Sequence, residues 1–279
     1  MAYKTILTIV TDVDASKAQI EAAIALARRE DAHLDVLCMG VDRTQTGYYY
    51  AGATAFVQQE TMDRAQDDAR KLEAALTERL TPEDVRWSVE SIVAQIGAIS
   101  TAVGLRARFS DVVVAGLPYG EGRGPEVEAA VEAALFEGQV PVLIVPDGYT
   151  TPPSGKRIVV AWNQSSEAMN AIRKALPELK AAEMVDITIV DPPAHGPERS
   201  DPGGALSQML SRHGVHAEVS VLAKTLPRVS DVINRHVRDT KADMVVMGAY
   251  GHSRFREAIL GGATRSMLEK AEVPVLMAH

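Results

Sequence analysis

Short apolar runs alternate with longer amphipathic stretches along the whole chain, and the two periods predict different elements. "KTILTIV", "HLDVLCMG", "SDVVVAG" and "VPVLIV" in the first half are of strand length and mostly continuous in apolar character, as are "RIVVAW", "VDITIV", "VHAEVSVL", "ADMVVMG" and "VPVLMA" in the second. A sheet with one wet face would alternate, so such runs predict parallel strands covered on both faces. The segments between them read as helices. "SSEAMNAIRKALPEL" opens on a serine cap pattern, and "PRVSDVINRHVRDT" puts Val229, Val232, Ile233, His236 and Val237 on one helical face. Strand and helix in alternation predict an α/β, Rossmann-like open parallel sheet with helices on both faces. Its ligand crevice lies outside the carboxyl ends of the strands, where strand order reverses.

The pattern occurs twice. "SDVVVAGLPYG" and "ADMVVMGAYG" pair Asp111 with Asp243 and Gly116 with Gly248, both 132 positions apart, while "VPVLIVP" and "VPVLMAH" are 133 apart. "KTILTIV" and "KRIVVAW" are 152 apart, so the first copy carries extra residues near its start, for which Asp42–Glu60 is the candidate insert. "PDGYTTPPSGK", dense in proline, glycine and threonine, reads as a linker and places the boundary near Thr151. The expected domains are 1–150 and 151–279.

Composition narrows the partners. With 29 basic against 37 acidic residues the net charge is −8, so no broad basic field draws nucleic acid or anionic lipid, and a phosphate ligand has to be held locally. The one cysteine, Cys38, sits in an apolar run, which excludes a disulfide within the chain and reads as a buried thiol. No stretch of about 18 apolar residues occurs, and "MAYKTILTIVTDVD" has no basic leader region; the expectation is a cytoplasmic protein outside the membrane.

Candidate chemistry concentrates near the C-terminal end. Gly248 ends the fourth strand of the second copy, Gly251 follows it, and Gly261 and Gly262 precede the predicted helix "ATRSMLEKAEV". Glycine admits positive φ and a bare backbone, and a helix N-terminus offers unpaired N–H groups with about half a positive charge, so the cluster reads as a phosphate seat. The alternative is that these glycines only end a strand and cap a helix.

With the strand end, the nine-residue spacing and the helix start, this stretch resembles the nucleotide-binding universal stress proteins, whose motif is G-x2-G-x9-G-(S/T). Gly248, Gly251 and Gly261 match it, and the resemblance covers the chain as two tandem domains. It implies strand order 3-2-1-4-5 and ATP, with or without Mg²⁺, at the carboxyl ends of the strands. It also implies pairing of domains through their fifth strands, extended here to a homodimer through fifth-strand edges. Gly262 replaces the motif's hydroxyl residue, Thr264 matches another hydroxyl position, and Asn163 stands where an aspartate usually holds the nucleoside. Asn163 and Val190 are assigned to ribose and adenine, and Gly248, Gly251, Gly261, Gly262 and Thr264 to phosphates. In the first copy Gly116 matches Gly248, but Glu126, Glu128 and Glu132 replace the second glycine cluster, so that half is read as degenerate.

The remaining constellations are weaker. Asp12 and Asp14 read as helix capping or a remnant of the family's aspartate ahead of Mg²⁺ ligation, Arg254 and Arg256 as phosphate partners or a solvated helix face, and His213 with His216 as too few ligands for zinc. Tyr48, Tyr49 and Tyr50 read as a loop anchor ahead of a lid. No G-x-S-x-G, H-E-x-x-H or P-loop arrangement occurs. The expected function is a stress-response protein that binds ATP or a related adenine nucleotide in its second domain as a regulatory switch, with at most slow hydrolysis and no protein partner named. The alternative is a nucleotide-free stress scaffold acting through domain and subunit association.

Overall fold

The computed structural model describes residues 3–43, 54–120, 122–149, 155–192, 201–251 and 262–279. The chain forms two compact units, Met1–Val140 and Pro141–His279. The expected boundary at Thr151 and the tyrosines 48–50 lie outside the described residues, as does most of the expected insert.

In the first unit the order is β1 (Thr5–Val10), α1 (Lys17–Glu30), β2 (His33–Asp42), α2 (Thr54–Leu80), β3 (Arg86–Gln95), α3 (Ile99–Ala107), β4 (Val112–Gly116) and α4 (Pro125–Phe136). Parallel pairing of β1 with β2 and β4, and of β2 with β3, gives the order β3-β2-β1-β4. Every residue of β4 is buried, which requires cover on both faces, whereas β3, at the end of this order, has every residue but Ala94 exposed or half-buried.

The second unit begins with β5 (Val142–Val145). It continues with β6 (Arg157–Ala161), α5 (Ser166–Lys174), α6 (Leu176–Ala181), β7 (Met184–Val190), α7 (Gly204–Arg212) and β8 (Ala217–Leu222). It closes with α8 (Val229–Thr240), β9 (Met244–Gly248), α9 (Ala263–Lys270) and β10 (Val275–Ala278). Parallel pairing runs β8-β7-β6-β9-β10, which is the order 3-2-1-4-5 counted within this copy. β5 joins antiparallel on the far side of β10. The edge of β10 that a second chain was expected to use is therefore occupied within this chain.

The repeated aspartates have one structural task. Asp111 accepts from the amides of Lys4 and Thr5 at 2.6 and 2.9 Å, and Asp243 accepts from those of Lys156 and Arg157 at 3.2 and 3.0 Å. Each carboxylate thus ties the start of its central strand to the strand beside it. The stretch read as one helix from Ser165 to Leu179 is interrupted at Ala175. Pro177 brings no N–H and crowds the carbonyl one turn back, so α6 starts afresh with proline in its first turn.

Candidate functional site

Because β6, β7 and β9 run parallel, their carboxyl ends lie along one border of the sheet. The chain leaves β6 toward β7 on one side and returns to β9 on the other, so β6 is the switch point. A cavity of about 540 Å³ opens there. Its walls are the residues after β6 from Trp162 to Ser165, the β7 end with Val190, the α8 residues Val229 and Ile233, Gly248, Gly251, and the first turn of α9. Asn163, Val190, Gly248, Gly251, Gly262 and Thr264 thus all line one space. Gly261, His252, Ser253, Arg254 and Arg256 lie outside the described residues.

One of the reasons expected for the glycines, a positive φ, is not used at the described ones. Those of the cavity do not use the left-handed region: Gly262 has φ −59°, and neither Gly248 nor Gly251 has a positive φ. At Gly248 the requirement is space, since a Cβ would lie 2.5 Å from the Ala168 nitrogen and 2.7 Å from the Glu167 carbonyl carbon. The N-terminus of α5 thus packs directly on the end of β9. The left-handed residues are Gln164 (φ 64°), Asp191 (φ 53°) and Tyr250 (φ 56°), one after each of β6, β7 and β9. Side chains other than glycine pay on the order of 1–3 kcal/mol for such backbone, a cost that collects at ligand sites. The sequence reading missed all three; the signal available was only that each follows a strand end by a few residues.

Hydrogen bonding around the cavity is specific. The Thr264 hydroxyl, 3% exposed, accepts from the Tyr250 amide at 3.0 Å, fixing the β9 loop to α9 and leaving its own O–H to donate. The Asn163 Oδ1 accepts from the Ser165 amide at 3.2 Å, which leaves the side-chain NH₂ for a ligand. Ser165 caps α5 by accepting from Ala168 at 3.1 Å. At α9 the N-cap is Gly262, which has no side chain of its own to cap the helix, so among the described residues its first-turn amides are donors at that wall. The ionisable side chains among the described lining residues are Glu167 and Asp191, both acidic. An anion here would meet backbone amides, with carboxylates close by.

Elsewhere the Asp12 carboxylate accepts from the Ala15 amide at 2.8 Å, and Asp14 pairs with Lys17 at 2.8 Å on the surface. His213 ends α7. Among the described residues no group of three or more His, Cys, Asp or Glu is placed to hold a metal, and no helix is long and apolar enough to cross a membrane.

The comparison that decides the relationship is with the model of the Universal stress protein family, which matches residues 155–279. The second half of the chain belongs to that family. Universal stress protein Slr1230 of Synechocystis sp. is 34% identical over 73 residues, 26% of this chain and 24% of its own, so the match spans about a quarter of that relative. A universal stress protein from Archaeoglobus fulgidus superposes on 100% of this chain and 96% of its own, with a TM-score of 0.73 and 15% identity, a likeness of fold that takes in both halves. The tandem arrangement of two universal stress protein folds is thereby accounted for. A universal stress protein family protein from Arabidopsis thaliana, solved with AMP bound, aligns with 44% of this chain and 90% of its own at 18% identity and a TM-score of 0.32. That overlap is too shallow to transfer any residue.

Proposed function

We propose that the universal stress protein domain of the second half binds ATP or a related adenine nucleotide in the cavity at the ends of β6, β7 and β9, and that occupancy, rather than turnover, is its output. The observation that carries this reading is the convergence of Asn163, Val190, Gly248, Gly251, Gly262 and Thr264 on one cavity whose volume suits a small ligand. The first turn of α9 supplies amides and a favourable dipole for phosphate, and Thr264 supplies a hydroxyl. Val190 and Ile189 give an apolar wall to a base, and the Asn163 NH₂ a donor to ribose. Gly261, and with it the third glycine of the motif, joins the phosphate seat in this reading.

Glu167 and Asp191 bear on the form of the nucleotide. A bare polyphosphate beside two carboxylates meets repulsion, and Mg²⁺ carried on the phosphates offsets it. Occupancy works as a switch if it favours one arrangement of the left-handed loops at Gln164, Asp191 and Tyr250 over another. Trp162 lines the cavity and Trp87 is the other tryptophan, so in a Trp87→Phe background indole fluorescence reads the site. The expected result is saturable change with ATP, tighter with Mg²⁺ than without it, and weakened roughly threefold to tenfold by Asn163→Ala. No saturable signal and no heat of binding at millimolar ATP would remove the proposal.

A further inference from the structure

The first unit has a cavity of its own, also about 540 Å³, at the carboxyl ends of β1 and β4. The places that correspond to the anion seat of the second unit are filled there by the protein's own side chains. The Gly116 amide, counterpart of Gly248, is spent on Gln19 Oε1 at 2.8 Å. Arg123 donates to the Leu117 carbonyl, and its Nη1 lies 3.1 Å from where a Cβ of Gly116 would sit. Gly124 caps α4 as Gly262 caps α9, and the Glu126 carboxylate folds back onto it so closely that a Cβ at 124 would overlap both oxygens.

Glu126 is 3% exposed. Its Oε1 accepts from Arg43 at 2.5 Å, and its Oε2 meets no hydrogen-bond donor among the described residues. A negative charge in the first turn of a helix is where the helix dipole favours one. An incoming phosphate would either lie against this buried carboxylate or displace it, and displacement would strip a buried charge of its partner. The lining of the cavity is mixed: Ile9, Val113 and Val131 give it apolar surface, and Asp12, Asp14 and Asp68 offset the charges of Lys71 and Arg123. An N–H group on a ligand would give Oε2 the donor it lacks.

We propose that the first unit holds a binding site for an uncharged, hydrogen-bonding molecule of nucleoside size with a flat apolar body, in which Glu126 stands permanently in the place of a phosphate. Adenosine and ATP test this, because they differ only in the phosphates. In ¹H–¹⁵N spectra of the full chain, the Gly116 and Gly124 amides report this cavity and the Trp162 indole N–H reports the other, so the outcome is separate from that of the second unit. Adenosine is expected to shift Gly116 and Gly124 saturably while ATP at equal concentration does not. Glu126→Gln, which keeps shape and removes charge, is expected to bring the ATP affinity there to within about tenfold of that for adenosine. ATP shifting both glycines of the unaltered chain as readily as adenosine overturns the proposal, and so does adenosine leaving them unmoved. Both of these comparisons use the unaltered chain and need no variant to fold.

Discussion

Gly248 and Gly251 are the same letter in one spacing pattern, yet the structure holds them for different reasons. At 248 the obstacle to a side chain is the backbone of Glu167 and Ala168, which cannot yield without moving α5; at 251 the nearest atom is the Glu167 Oε2, 3.4 Å away. Gly248→Ala is expected to destabilise the second unit by about 1–3 kcal/mol, and Gly251→Ala to stay within about 0.5 kcal/mol. Thermal unfolding of the two variants checks this, and equal midpoints would contradict it. Thr264→Val removes the acceptor of a buried amide and should cost about 1–3 kcal/mol, with Thr264→Ser restoring most of the loss. The strand end and the spacing singled out Gly248, and the resemblance to the family motif singled out Thr264. Neither signal could give the reasons, because the landing of α5 on residue 248 and the bond from Tyr250 to Thr264 are products of tertiary packing. The left-handed turns at Gln164, Asp191 and Tyr250 were hidden for a related reason: glycines nearby drew the inference, and the backbone turned at their neighbours.

At the scale of elements, the wall of the second cavity depends on how α5 starts. Ser165 caps it, Glu167 enters the cavity from its first turn, and Ala168 touches Gly248. Ser165→Ala is expected to cost about 1 kcal/mol in unfolding free energy. If nucleotide binds as proposed, the same change weakens it by loosening this wall, which the Trp162 fluorescence titration measures. The elements themselves were legible where hydrophobic period and cap agreed, as in α8, whose Val232, Ile233 and Val237 are buried as one face. His236, placed on that face by spacing, meets the Asp186 carboxylate there at 2.8 Å, a partner that only the packing of α8 on β7 supplies. β8 also departs from its reading: "VHAEVSVL" looks like a covered strand, but it ends the sheet order, and Val219 and Val221 are 39% and 52% exposed.

Across the whole molecule, duplication was the most legible property, since paired positions such as Asp111 and Asp243 keep the same bonds in both copies. The solitary thiol is a second such property. Burial, aided by the Glu73 carboxylate, pushes the Cys38 thiol from 9.0 up to about 12. The folded chain then keeps a proton that the unfolded chain releases, so this stabilisation is complete below about pH 9 and is lost as pH rises toward 12. Urea unfolding midpoints should fall over that window, and the fall should flatten in Cys38→Ala; an unchanged slope would count against the account. The pairing of β10 has a consequence for biosynthesis. That strand lies between β9 and β5, so during translation both wait with open borders until it has left the ribosome. The sheet of the second unit is therefore completed only once β10 has emerged, whereas the four strands of the first can assemble well before.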